Sequence, residues 1–153
     1  TAEEWTPWAI DDGVAPEIIA WVTQFPHCMA SYTDKSQEEN MYIYHPNKQQ
    51  EAFTSARSLA QSSPIVENRE KLGMNATMTA LAGTIGESAA RDMSAYFSLA
   101  DSLPTREAVY HSPMTAVIPS DPSAQVILVM RELMSLETKN IDAWVTYMQQ
   151  ELC

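Results

Sequence analysis

Apolar residues recur at intervals of three or four along much of the chain, which is the spacing of one face of an α-helix. The clearest short run follows Pro16 and contains Ile18, Trp21, Val22 and Phe25. Proline at the first helical position favours a helix start, and Pro26 closes the run. The preceding segment, 2–13, predicts another short helix that ends at Gly13.

The longest periodic segment runs from about Asn75 to Ser102 and predicts a single central helix. Its apolar positions are Met78, Leu81, Ile85, Ala89, Met93, Phe97 and Ala100. Gly83 and Gly86 lie inside this segment, where each costs about 1 kcal/mol relative to alanine. We therefore expect Leu81, Ile85, Met93 and Phe97 to be buried. We also expect one of these glycines to lie against another helix, so that a leucine at Gly83 would overpack the core.

Between these segments, the stretch "FTSARSLAQSS" predicts a helix of small residues that carries Arg57. Thr54 is the expected N-cap, and Pro64 limits the length of the helix. The preceding polar loop, residues 33–50, is interrupted by Met41–Tyr44, which fits either a brief strand or a segment that tucks into the core.

Three further helices are predicted in the last third of the chain. A short one begins at Thr105, and a proline-rich connector follows it. Asp121 and Pro122 form a good N-cap and first position for a helix that carries Val126, Val129, Met130, Leu133 and Met134. A final helix carries Ile141, Trp144, Val145, Met148 and Leu152.

The sum of these elements predicts an all-α fold: a compact bundle of six to eight helices around a long central helix, with one long polar loop. The chain has 153 residues, 45% of them hydrophobic, which is enough to bury one sizeable core. We therefore expect a single helical domain over residues 1–153.

Charge and composition exclude several classes of function. The formal net charge is −11, and the few basic residues are scattered, so we expect no nucleic-acid binding. No apolar run approaches the roughly 20 residues that span a bilayer, so we expect no membrane association. The two cysteines, Cys28 and Cys153, do not indicate a disulfide framework, and a cytoplasmic location is the expectation.

The usual chemical motifs are also missing. No glycine precedes a lysine in the phosphate-loop pattern, and no nucleophile elbow of the G-x-S-x-G type occurs. The "GTIG" at Gly83–Gly86 is only superficially like an RNA-clamping loop and fits helix packing better. His27, Cys28, His45 and His111 lack the short spacing of zinc ligands, so no metal site is predicted.

Several segments, in their order along the chain, carry a resemblance to a known family. They are "WAIDDGVAPEIIAWVTQFP" (8–26), "FTSARSLAQSS" (53–63), "LAGTIGESAARDMSAYF" (81–97), "LPTREAVYHSP" (103–113) and "VIPSDPSAQ" (117–125). Together they resemble the C-terminal helical lid of MoxR-like AAA+ ATPases of the phage and prophage type. In that family a motif resembling "TPRSW" holds the arginine called the second sensor, which corresponds to Arg57. The family's proline is Ala56 here, and its aromatic residue is Leu59.

The resemblance implies a specific role for this chain. As a lid-type domain of a longer ATPase, it would contribute Arg57 to the γ-phosphate of ATP, while a separate core domain would hold the ATP and Mg²⁺. The implied activity is protein remodelling by a hexameric ring, with a von Willebrand factor A-type protein as a further partner. The partners would be the core domain and the neighbouring subunits, and the isolated chain would not hydrolyse ATP.

Two other interpretations stay open on the sequence alone. Arg57 could simply pair with an acidic neighbour on this acidic surface. The whole chain could be a free-standing helical adaptor or a phage structural protein that binds other proteins through its methionines and tryptophans.

Overall fold

A computed structural model describes residues 1–133 and 136–150, and within these residues every regular element is a helix. The α-helices are α1 (Ala2–Asp11), α2 (Pro16–Gln24), α3 (Ala56–Gln61), α4 (Ser63–Glu67), α5 (Arg69–Leu72), α6 (Met74–Ile85), α7 (Glu87–Asp101), α8 (Arg106–His111), α9 (Pro122–Leu133) and α10 (Ile141–Gln149). Four of these helices, α3, α4, α5 and α8, have only four to six residues. The all-α prediction is confirmed.

The chain divides into two compact units, Thr1–Phe97 and Ser98–Cys153, with the boundary inside α7. The prediction of one lid-type domain over 1–153 stays a prediction. Met134, Leu152 and Cys153 lie outside the described residues. No helix in the part of the chain that is described is long and apolar enough to cross a bilayer.

In the first unit, α2 is the most deeply buried element. Five consecutive side chains of this helix are buried: Ile18, Ile19, Ala20, Trp21 and Val22. The reversal from α1 into α2 depends on Gly13, which has φ +76°. The Val14 amide donates to Ala9 O at 2.9 Å, and the Gly13 amide donates to Ile10 O at 3.2 Å. These two bonds satisfy the end of α1 as a Schellman motif, so the predicted helix end at Gly13 is confirmed.

The central helix predicted over 75–102 is wrong as a single element, because it is broken into α6 and α7 at Gly86. Gly86 has φ +91° and ψ 155°, a conformation that is essentially restricted to glycine. A β-carbon at this position would lie 2.8 Å from Ala52 O. The break therefore lets the segment before α3 approach the junction closely. The predicted burial of Leu81, Ile85, Met93 and Phe97 is confirmed.

Gly83 behaves differently from the prediction. An added β-carbon at Gly83 would meet no atom within 4 Å, and the residue is exposed. Neither glycine lies against another helix, since Gly86 meets the non-helical residues Ala52 and Phe53. The expected overpacking by a leucine at Gly83 is therefore wrong.

Residues 30–55 connect the first two helices to α3 and contain a 3-10 turn, Lys35–Gln37, with no α-helix or strand. The long polar loop predicted over residues 33–50 is not confirmed: most of its side chains are exposed, but Ile43 and His45 are buried. Of the two alternatives for Met41–Tyr44, the structure shows a segment that tucks in through Ile43. We call residues 30–55 the strap.

The second unit is built around α8, α9 and α10. Its buried apolar side chains are Leu103, Val109, Ala124, Ile127, Leu128, Trp144 and Tyr147. The rings of Trp144 and Tyr147 stack at 5.6 Å, and the Tyr147 hydroxyl donates to Val117 O at 2.8 Å. This hydrogen bond anchors the proline-rich connector to α10.

Candidate functional site

The candidate site is the start of α3, where Arg57 lies in the first turn. Ser55, not Thr54, is the N-cap: its hydroxyl accepts a hydrogen bond from the Ser58 amide at 3.1 Å. In return, the Ser55 amide donates to the Ser58 hydroxyl at 2.9 Å. This reciprocal pair is a capping box in which serine replaces the usual glutamate or glutamine. The predicted cap at Thr54 is therefore wrong by one residue.

Ala56 and Leu59 lie on either side of Arg57 in the first turn of α3. Ala56 occupies the first helical position. Leu59 is fully buried and supplies the apolar contact of this turn.

The Arg57 side chain is exposed. Within residues 1–133 and 136–150, no ion pair, hydrogen bond or ring contact involves it. The alternative of a surface ion pair thus has no support among the described residues. By contrast, Arg69 pairs with Glu17 at 3.2 Å and lies over the Phe97 ring at 5.3 Å, and Arg91 pairs with Glu87 at 3.2 Å.

A guanidinium in this position can bind an incoming anion. It carries five donors in a planar fork that matches carboxylate and phosphate oxygens. Because Arg57 is not engaged by a described acidic group, its donors are available to a ligand from outside these residues. The arrangement can hold a phosphate.

An open cleft of about 290 Å³ begins at the same helix start. Its lining includes Tyr32, Tyr44, Phe53, Ser55 and Ala56, and no charged side chain lines it. The Tyr44 ring lies 5.7 Å from the Tyr32 ring and 5.2 Å from the Phe53 ring. The cleft therefore offers aromatic and hydroxyl contacts immediately before Arg57 in the sequence.

The strap is tied to the helices at the residue before the N-cap. The Thr54 hydroxyl lies 2.5 Å from Cys28 O and 2.9 Å from Tyr42 O, and the Thr54 amide donates to Tyr42 O at 2.7 Å. The Tyr42 hydroxyl in turn donates to the Asp92 carboxylate on α7. Burial, followed by the hydrogen bond to Asp92 and its charge, raises the pKa of Tyr42. Tyr42 is therefore a neutral donor at physiological pH.

Sequence reasoning missed these ties because they join residues far apart in the chain. Tyr42 and Asp92 are separated by 50 positions, and Thr54 and Cys28 by 26. The one available signal was a threonine beside the predicted helix start, which was assigned to capping. Burial raises the pKa of the Cys28 thiol to about 12, so this cysteine acts as an apolar core residue.

The histidines considered as metal ligands are engaged separately. The His27 ring stacks on Tyr42 at 5.2 Å, His45 Nε2 lies 2.7 Å from Asn40 O, and His111 Nδ1 lies 2.9 Å from Glu107 O. The described residues contain no group of three or more side chains that could hold a metal ion.

A second polar centre, in the second unit, was also missed. The carboxylate of Glu132 is fully buried and accepts a hydrogen bond from the Tyr110 hydroxyl. It lies 3.1 Å from Arg131 Nε and 3.5 Å from Arg106 Nε. Burial and the bond to Glu132 raise the pKa of Tyr110 to about 12. With its oxygens engaged inside the unit, Glu132 serves the fold rather than a ligand.

Comparison with family models, with curated proteins and with solved structures gives no match for this chain.

Proposed function

We propose that this chain is the helical lid of a MoxR-like AAA+ ATPase and that Arg57 is its second sensor. The observation that carries the proposal is the exposed guanidinium in the first turn of a capped helix, with no partner among the described residues. An arginine that binds a phosphate held by another domain should be exposed and unpaired within its own domain, because an internal ion pair would compete with the phosphate.

In this function the chain contributes the positive charge of Arg57 and no group that takes part in bond breaking. ATP and Mg²⁺ are held by a separate core domain, and Arg57 reaches the γ-phosphate from the lid. Loss of that phosphate on hydrolysis removes the contact and changes the lid's position, which drives remodelling of a protein by a hexameric ring. Binding of a von Willebrand factor A-type partner belongs to the same proposal and rests on the resemblance alone.

The first test is to read the coding sequence upstream of Thr1. A phosphate loop encoded there in the same frame is the expected result. A start codon directly before the Thr1 codon would sink the lid proposal, because the chain would then have no core domain of its own.

The second test is kinetic and uses the full-length protein. Arg57→Ala removes a charge-assisted contact to the transferred phosphate, which amounts to about 2–4 kcal/mol, or a roughly 30- to 1000-fold loss of kcat. Arg57→Lys keeps the charge but loses the planar fork, so we expect an intermediate rate. Arg91→Ala is the matched control, since Arg91 is also an exposed arginine of the first unit and pairs only at the surface. Steady-state phosphate release is the measurement.

A thermal melt of each variant accompanies the rates. Arg57 is exposed, so its substitution should shift stability by no more than about 0.5 kcal/mol. Unchanged turnover in Arg57→Ala, or a loss of kcat equal to that of Arg91→Ala, would show that Arg57 is an ordinary surface residue.

The second candidate is a free-standing adaptor or structural protein that binds other proteins. It is favoured by large apolar side chains that are exposed, among them Met41, Met74, Met114 and Val117. On α10, the outward positions Ile141, Val145 and Met148 are each more than a third exposed and recur at helical spacing. The upstream coding sequence separates this candidate from the lid.

A further inference from the structure

We propose that Thr54 is a positioning residue for Arg57: its buried hydroxyl fixes the start of α3 and thereby the place from which the guanidinium reaches a phosphate. This inference rests on the proposed function of Arg57. It assigns to Thr54 a part in turnover that is separate from capping, which Ser55 performs.

The attachment of Thr54 is unusually tight for a residue of an irregular segment. Its side chain is buried, and its hydroxyl has two carbonyl oxygens within 2.9 Å, those of Cys28 and Tyr42. A hydroxyl has one hydrogen to donate, so it is shared between them or directed at the nearer oxygen, Cys28 O. The Thr54 amide provides a further bond to Tyr42 O. Thr54 thus joins two points of the chain through three short contacts.

Both acceptors are themselves held by helices. Cys28 lies in the 3-10 turn Pro26–Met29 that directly follows α2, the most buried helix of the first unit. Tyr42 is bonded through its hydroxyl to Asp92 of α7, and its ring stacks on His27. Thr54 is therefore fixed relative to α2 and to α7.

The connection from Thr54 to Arg57 is short and has little freedom. Ser55 caps α3, and the Ser58 hydroxyl lies 2.9 Å from Phe53 O, so the residues on both sides of Thr54 are also bonded to the helix start. Arg57 itself has no described contact that could hold its side chain. The backbone at the start of α3 is consequently what sets the position of the guanidinium, and Thr54 is the buried anchor of that backbone.

The test compares Thr54→Val with Thr54→Ser in the full-length protein. Valine keeps the shape and burial but removes the hydroxyl, whereas serine keeps it. Because a misplacement of about 1 Å can cost up to roughly 100-fold in rate, we expect a loss of kcat between about 10- and 100-fold for valine. Serine should recover most of it. Thr77→Val is the control, since Thr77 is a buried threonine of α6 whose hydroxyl is 3.5 Å from Arg69 O.

Two further readouts separate positioning from mere stabilisation. In an Arg57→Ala background, Thr54→Val should change kcat by less than about twofold, because two residues that act as one unit are not additive. By hydrogen exchange, the amide of Leu59, which donates to Ser55 O, should exchange at least about tenfold faster in Thr54→Val than in Thr77→Val.

The outcomes distinguish the two proposals. If Arg57→Ala lowers kcat and Thr54→Val does not, positioning by Thr54 is wrong and the sensor stands. Additive losses of kcat in the double variant, or failure of Thr54→Ser to recover the rate, also overturn the positioning role of Thr54. If Arg57→Ala leaves kcat unchanged, the sensor proposal fails and the role of Thr54 in turnover fails with it. Unaltered exchange at Leu59 would overturn the anchor itself, whatever the rates.

Discussion

The two units stabilise their buried polar groups in different ways. Besides the bond from Tyr42 to the Asp92 carboxylate, the first unit holds its strap with hydrogen bonds to backbone carbonyl oxygens, among them those from the Thr54 hydroxyl to Cys28 O and from the Gln50 side-chain amide to Ile43 O. By contrast, the second unit buries the carboxyl group of Glu132 beside two guanidinium groups and a phenol. Neutral bonds to carbonyls each contribute modestly and can be rearranged, whereas a buried carboxylate needs all of its partners.

This difference predicts different responses to substitution. A strap held by several separate hydrogen bonds can lose one of them and stay attached, so Thr54→Val should displace the start of α3 without releasing the strap. Glu132 responds differently, because removing its partners would leave a carboxyl group without hydrogen bonds and away from water.

The largest effect is expected for Glu132→Ala. Removing this carboxylate takes away the group that Arg106, Arg131 and Tyr110 share. It also leaves a cavity where the buried Glu132 side chain packs. Loss of one member of a buried ion pair typically costs about 3–5 kcal/mol. Because both arginines are partly exposed and can turn to water, we expect about 3 kcal/mol in the free energy of unfolding, measured by urea melts with circular dichroism.

Glu132→Gln is the matched control. It keeps the shape and an oxygen that can accept from Tyr110, so about half of the loss should be recovered. A Glu132→Ala variant within about 0.5 kcal/mol of the parent would contradict the contrast between the units, since the buried carboxylate would then be no more costly to remove than a surface group.

A somewhat smaller loss is expected for Gly86→Ala in the first unit. The backbone at Gly86 is in a region that costs other residues about 1–3 kcal/mol, and the added β-carbon would lie 2.8 Å from Ala52 O. We expect a destabilisation of about 2 kcal/mol, with faster amide exchange in the strap. Exchange confined to the end of α6 would instead show that Ala52 moves aside without loosening the strap.

Local rules predicted the helices but not their interruption. The helix starts at Pro16 and Pro122, and the end at Gly13, follow from short-range chemistry, and all agree with the structure. At Gly86 the apolar spacing continues in phase from Ile85 to Ala89, so periodicity gives no sign of the break. The close approach of Ala52, 34 positions earlier, leaves no room for a β-carbon there, and the positive φ is a second requirement that periodicity does not reveal.

In the candidate site, too, the local features were predicted and the long-range contacts were not. Arg57 was selected by the order of family-like segments, and its helix was predicted from small residues before Pro64. Ser55 and Thr54 are adjacent hydroxyl residues, and the sequence cannot say which one caps, because that depends on where the chain turns into the helix. The carbonyls of Cys28 and Tyr42, which engage Thr54, determine it.

The smallest expected effect, and the only one with the opposite sign, belongs to Gly83→Ala. Gly83 lies three residues before Gly86, inside α6, and an added β-carbon would meet nothing within 4 Å. Alanine should therefore stabilise the first unit by about 0.5–1 kcal/mol, which is the difference in helix propensity, with strap exchange unchanged. Urea melts of the two alanine variants, measured side by side, provide the comparison. A destabilised Gly83→Ala would mean that close packing extends to this position, and the loss at Gly86 could then no longer be assigned to the strap alone.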